Sequence, residues 1–184
     1  MTSKNTNIPA SYLVLKKRRK ILLLRRFNTG YEDGKYSMIA GHVDENESFS
    51  QAVIREACEE ADIVIKKEDL QVIHIMHRFA RESSKQELSQ RIDVFFQTSK
   101  WEGKIKNVEK NKCDDLSWFD IDKMPLNIIP YIQNVIENIK KNIFFSEYGW
   151  KMNIKTHIES LLNFNIKTAA DSDKDLLKDG FSIS

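Results

Sequence analysis

Three carboxylates stand at offsets 0, 3 and 4 in the stretch Arg55-Glu56-Ala57-Cys58-Glu59-Glu60. On a helix those offsets share one face. Like charges set side by side repel, and a helix that needs only solubility interleaves its acids with Lys or Arg. A divalent cation would relieve the repulsion, and carboxylate oxygens are hard ligands suited to Mg²⁺ or Mn²⁺. The plainer alternative is a solvated acidic face with Arg55 as its counter-charge.

The wider spacing adds to this. Gly41, then Glu47 after five intervening residues, and then, after seven more, Arg55-Glu56-Ala57-x-Glu59-Glu60-x-Asp62-Ile63 resembles the signature of the Nudix hydrolases, Gly-x5-Glu-x7-Arg-Glu-aliphatic-x-Glu-Glu-x-Gly-aliphatic. Every charged position matches. Asp62 departs from the pattern, standing where the family usually has Gly. That position ends the helix, where a left-handed residue is wanted, and Asp is among the few non-glycine types that tolerate it. The resemblance implies a catalytic set of Glu56, Glu59 and Glu60 that holds Mg²⁺ or Mn²⁺, assisted by the backbone carbonyl of Ala40. It also implies that Arg55 serves catalysis as a positioning residue, its planar fork bridging Glu47 and the neighbouring carboxylates. Residues 101–119 are similar to the region that places another acid opposite this helix in nucleotide-cleaving members. Glu109 is the match there, as a further metal ligand or as a base acting through the metal, although Lys110 stands where relatives often have Pro. Its plainer reading is an ordinary loop carboxylate.

The elements that must position these groups are legible from patterning. Ser48-x-x-Gln51 is a capping box, and Phe49, Ala52, Val53, Ile54 and Ala57 supply the apolar side of the helix it starts. Residues 36–40 form the strand before it, leading through Gly41 into the loop. Residues 10–15 and 21–26 pair around the basic run at 16–20, read as a hairpin turn, and residues 28–35 are a loop. Strands follow at 70–78 and 90–97 with a polar loop between them, then a turn and short strand from Trp101, and a strand at 115–119. Ile132, Val135, Ile136 and Ile139 repeat at helical spacing within 130–140. The order resembles an α/β Nudix fold, a mixed β-sheet sandwiched between α-helices, over about residues 8–145. We expect a Nudix domain at 1–145 and a C-terminal extension at 146–184, with an amphipathic helix at 154–164 and a turn near 173–178.

Composition bounds the remainder. A chain of 184 residues, 41% hydrophobic and 30% charged, fills one domain with an appendage. A net charge of +2 is too balanced for general nucleic-acid or membrane-surface binding. Cys58 and Cys113 lack CxxC spacing, so neither a disulfide framework nor a zinc site is indicated. With no apolar run of membrane-spanning length and no signal-peptide core at the N-terminus, the expected location is the cytoplasm, as a monomer or homodimer.

The implied partner is a small nucleotide, cleaved at a pyrophosphate bond in a nucleoside diphosphate linked to another group. The similarity at 101–119 favours a nucleoside triphosphate, giving monophosphate and pyrophosphate. ADP-ribose, nucleotide sugars and capped RNA ends remain open. Phe27, Tyr36, His77 and Arg78 are the candidate substrate contacts, with Tyr31, His42, His74 and Phe79 on segments expected to border the site; such aromatics also serve as core or rim packing. Two alternatives use the same scaffold. One is a non-catalytic nucleotide sensor, which would have no need to keep repelling carboxylates together. The other is an isopentenyl diphosphate isomerase-like enzyme, which needs a reactive Cys with a partnered acid.

Overall fold

Two apolar runs flank the basic turn and zip into a hairpin in the computed structural model, which describes residues 7–81 and 88–150. β1 (Asn7–Lys17) and β2 (Lys20–Arg26) pair only at their turn ends, Lys16 with Ile21 and Lys17 with Lys20. Arg18 takes a left-handed φ of 56° in the turn. Beyond it the two strands diverge into different sheets.

That divergence corrects the single strand expected at residues 36–40. The segment splits at Met38 into β3 (Tyr36–Ser37), antiparallel to β2, and β4 (Ile39–His42), antiparallel to β1. A segment that pairs with both arms of a splayed hairpin must change sheets, and hydrophobic patterning carries no sign of the switch.

After the acidic helix α1 (Phe49–Ala61) comes β5 (Ile63–Val64), then β6 (Gln71–Arg81) and β7 (Leu88–Thr98), an antiparallel pair longer than expected at both inner ends. β7 runs parallel to β1 from Asn7 opposite Gln90 to Leu15 opposite Thr98. β8 (Glu102–Gly103) pairs with β5, and β9 (Cys113–Asp120) lies antiparallel on β2. The second helix, α2 (Pro130–Lys140), begins with proline in its first turn, where the missing N–H costs nothing. β10 (Phe145–Tyr148) then adds to β6 in parallel. This strand carries the packed unit to Gly149, past the boundary expected at residue 145. The expected C-terminal helix and turn lie outside the described residues.

The main sheet thus runs β10-β6-β7-β1-β4. It is mixed, and both faces are covered, which is why β1 is buried without interruption from Ala10 to Leu15. Leu13, Leu15, Ile39, Val94 and Phe96 pack with Val53, Ala57 and Ala61 of α1 on one face. Tyr12, Val14, Met76 and Phe95 pack with Ile132, Val135 and Ile136 of α2 on the other. A mixed sheet between helices is the fold the sequence led us to expect.

Candidate active site

The acidic helix is held at both ends. Ser48 Oγ accepts the N–H of Gln51 while the Gln51 side chain accepts the N–H of Ser48, completing the capping box. At the other end Asp62 occupies the left-handed region, φ 58° and ψ 38°, and its N–H donates to the carbonyls of Ala57 and Cys58. Asp therefore does at this position what glycine usually does.

With Val53, Ala57 and Ala61 pinned to the sheet, the adjoining flank of α1 that carries Glu56 and Glu60 lies over strand β4. Gly41 makes this approach possible. A Cβ there would stand 1.7 Å from Glu56 Oε1, so the glycine is the gap through which Glu56 reaches the cleft. Ala40 lies beside it, and its N–H donates to Glu60 Oε2 at 3.1 Å.

Arg55 organises the acids as a hub. Its Nε and Nη2 donate to the two Glu47 oxygens, each at 3.0 Å. Nη1 donates to Glu56 Oε1 at 2.6 Å and to Glu59 Oε2 at 3.2 Å, and Nη2 reaches the His42 carbonyl at 3.1 Å. The donated bonds hold the Glu47 carboxyl below its ordinary range. Glu56 moves the other way, raised first by burial and only partly countered by Arg55. Glu60 is pushed up to about 8, chiefly by burial and then by the charge of Glu56, with Glu109 adding to the effect. Glu109 sits across the cleft on the loop before β9, where its Oε1 accepts from Lys112 Nζ at 2.7 Å. Backbone bonds from Lys106 to Ala61 and from Val108 to Glu60 dock that loop on the end of α1.

A cleft of about 520 Å³ joins these groups. Glu56, Glu59, Glu60, Glu109, Arg55 and Ala40 all line it, and so does Arg78. Three of the expected substrate contacts do not. Tyr36 is buried, its hydroxyl donating to Asp115 and its ring set edge-on against Phe119 at 4.8 Å. Phe27 is exposed outside the cleft, its N–H spent on the Lys112 carbonyl. His77 neighbours Arg78 on β6, and because adjacent strand residues face opposite ways it is absent from the cleft wall that Arg78 joins. Of the flanking residues, Tyr31 and His42 line the cleft, whereas His74 is buried between the Ile143 carbonyl and Ser146 Oγ, both at 2.8 Å.

Sequence reasoning missed Tyr12, Arg26, Arg91, Lys112 and Tyr131 in the lining. Tyr131 falls within the helix expected at 130–140 and Arg91 within the strand expected at 90–97, and nothing in the spacing marks either. The pairing of β1 with β7 and the packing of α2 on that sheet bring Tyr12, Arg91 and Tyr131 together.

Among the described residues, no three His, Cys, Asp or Glu side chains already converge as a metal-binding group. Arg55 and the Ala40 amide hold the acids instead. The donor chemistry nonetheless suits a hard divalent cation: several carboxylates border one cleft, and two of them, Glu56 and Glu60, are kept from easy ionisation by burial and by neighbouring carboxylates.

A family model described as the NUDIX domain matches residues 6–139. The chain belongs to the Nudix family. It is therefore an enzyme, a hydrolase of phosphoric anhydrides, and Nudix enzymes in general use divalent metal ions and act on small nucleotides. Solved Nudix structures share its fold. The MutT NUDIX hydrolase from Burkholderia pseudomallei superposes with a TM-score of 0.64 at 20% identity, covering 72% of this chain and 98% of that one. The MutT protein from Methanosarcina mazei Go1 gives 0.61 at 20% identity, over 76% and 97% of the two chains. A UDP-X diphosphatase gives 0.52 at 14% identity, over 80% and 69%. Among the described residues of this Nudix protein, no helix is long and apolar enough to cross a membrane.

Proposed function

We propose that the protein cleaves a pyrophosphate bond in a nucleoside diphosphate linked to another group, with Mg²⁺ or Mn²⁺ as cofactor and nucleoside triphosphates as the principal substrates. The observation that supports this most is the grouping of Glu56, Glu59, Glu60 and Glu109 around one cleft that also carries Arg26 and Lys112. Carboxylates alone would repel a polyphosphate, and cations alone would bind one without activating water.

A divalent cation supplies neutralisation of phosphate charge and a nucleophilic water near neutral pH. Glu56, Glu59 and Glu60 would hold it, with the Ala40 carbonyl and Glu109 as further donors. Arg55 keeps Glu56 and Glu59 facing the cleft while Glu47 fixes Arg55 itself. Arg26 and Lys112 attract the phosphate oxygens. In the reaction, the water oxygen bonds to one phosphorus and the bridging P–O bond breaks. The nucleoside triphosphate leaves as monophosphate and pyrophosphate, and the proton lost by water passes to a cleft carboxylate, for which Glu109 is our assignment.

The test is hydrolysis of a nucleotide panel with Mg²⁺ or Mn²⁺, followed by chelation. Activity should require the cation, and full turnover in excess EDTA would sink the reading.

A further inference from the structure

The end of the cleft away from the glutamates is built of opposite charge. Arg78 on β6 and Arg91 on β7 are cross-strand partners, and both line the cleft. Arg78 is 3% exposed. Its Nε donates to Asp93 Oδ2 at 2.6 Å, its Nη2 stands 3.5 Å from the Tyr12 hydroxyl, and its Cζ lies 3.9 Å from the centre of the Tyr131 ring. Asp93 is wholly buried, so its charge is spent largely on Arg78. Arg91 is left with a weaker share, its Nε standing 3.6 Å from Asp93 Oδ1. Two guanidinium charges thus face a single carboxylate.

The hydrogen bonding shows the same shortfall. Arg91 Nε and Ser89 Oγ are buried and make no hydrogen bond among the described residues, and the Asp93 Oδ1 that faces Arg91 Nε at 3.6 Å is too far to bond it. An Arg offers donors only, and a serine hydroxyl can donate. Buried donors without partners are costly, and buried uncompensated charge more so. The wall therefore holds one carboxylate for two guanidinium groups and a hydroxyl, and a further acceptor carrying negative charge would fit it best. A stacked base fits poorly, because Tyr12 and Tyr131 are 5% and 7% exposed and Arg78 already covers the Tyr131 face.

Position links this wall to the reaction. β7 is two strands from β4, with β1 between them, a span of about 10 Å. Ala10, pairing with both Asp93 and His42, leaves a low floor along that path. A diphosphate held beside Gly41 and Glu56 would direct the group on its far phosphate across Ala10 towards Arg91.

We propose that Arg91 and Arg78, with Ser89, form a subsite for an anionic group attached to the nucleoside diphosphate, and that this subsite selects substrates bearing such a group over neutral ones. The inference rests on the hydrolase reading above. The anion is either the terminal phosphate of a nucleoside triphosphate or a carboxylate on an attached sugar.

The experiment compares UTP, UDP-glucuronate and UDP-glucose, one nucleoside with a phosphate, a carboxylated sugar and a neutral sugar, on the full chain with Mg²⁺. The wild type should prefer at least one anionic substrate to UDP-glucose by about 30-fold in kcat/KM, the size of a charge-assisted contact. Preference for UTP identifies the phosphate, and preference for UDP-glucuronate the carboxylate. Arg91→Ala should collapse the preference to within about 3-fold, mainly by raising KM for the anionic substrate, and Arg91→Lys should restore part of it. Equal losses on charged and neutral substrates would make Arg91 a structural residue and overturn the proposal. So would a wild type without the preference, or one that instead favours GTP over ATP in an Arg91-dependent way, since the arginines would then read a base.

Binding of UTP and UDP-glucose, measured by calorimetry without turnover, separates the two claims. A binding preference lost in Arg91→Ala, but without hydrolysis, would retain the subsite and reject the hydrolase. Hydrolysis with no binding preference would do the reverse.

Discussion

At the scale of single residues, the acids of the cleft differ in what they cost the fold. Glu60 has a carboxyl pushed up to about 8, against 4.5 in an unfolded chain. Between those values the folded state binds more protons than the unfolded one, so stability falls as pH rises through that window. In metal-free protein, Glu60→Gln should therefore melt several degrees above wild type near pH 8.5, with the two converging near pH 4.5; equal Tm values at the higher pH would show that Glu60 ionises there without cost. The same variant should lose most hydrolysis at saturating Mg²⁺, since the amide keeps the volume and the bond from Ala40 but gives up the charge. Arg55 and Glu109 should separate kinetically. Arg55→Lys cannot hold both oxygens of Glu47 and two more acids, so the Mg²⁺ needed for half activity should rise together with a lower Tm. Glu109→Gln should lower kcat with little change in KM, and an unchanged kcat would return it to a loop carboxylate paired with Lys112. Much of this was legible from the chain, because Arg55, Glu56, Glu59 and Glu60 lie within one helical turn and a half, where spacing alone determines a shared face. Tyr36 and His77 were misplaced because sequence gives neither the sheet switch at Met38 nor the side of β6 that meets the cleft.

At the scale of elements, the acidic helix depends on its two caps. Replacing Asp62 with Gly should stabilise the protein by about 1 kcal/mol, the order of the penalty for a side chain at φ 58°, whereas Ser48→Ala should cost about 1 kcal/mol by breaking the capping box. Chemical denaturation of both variants checks the pair, and a loss of stability in Asp62→Gly would mean that the Asp side chain contributes more than tolerance of the turn. Both helices were readable because an apolar stripe repeated over three turns is a strong periodic signal. β5 and β8 were harder, since two-residue strands have no period to detect. β10 was hidden for another reason: Phe145 is exposed, and the segment earns its place through backbone pairing with β6 and the bonds His74 makes around it.

At the scale of the whole molecule, the cleft is assembled from β1, β2, β3, β4, β6, β7, both helices, the loop at 28–35 and the segment leading into β9, so occupying it should stabilise the domain as one cooperative unit. Melting curves should shift upward with Mg²⁺ and further with Mg²⁺ plus a non-hydrolysable nucleotide, and the shift should follow ligand concentration as mass action requires. A Tm indifferent to both would place binding elsewhere. The layered α/β architecture was legible from the alternation of elements, but not the lining of the cleft, since the partners of Arg78 and Arg91 depend on strand order. The parallel pairing of β1 with β7 also matters while the protein is being made. Synthesis is vectorial, and β1 emerges with its antiparallel neighbours β2 and β4 close behind, yet its residues 7–15 must wait for residues 90–98 before the other edge is satisfied. The face that carries Tyr12 and Val14 waits longer still, for Tyr131 through Ile136 of α2. The nascent chain therefore passes through a long interval with a half-built sheet and an uncovered apolar face, the stage at which a chaperone has most to protect.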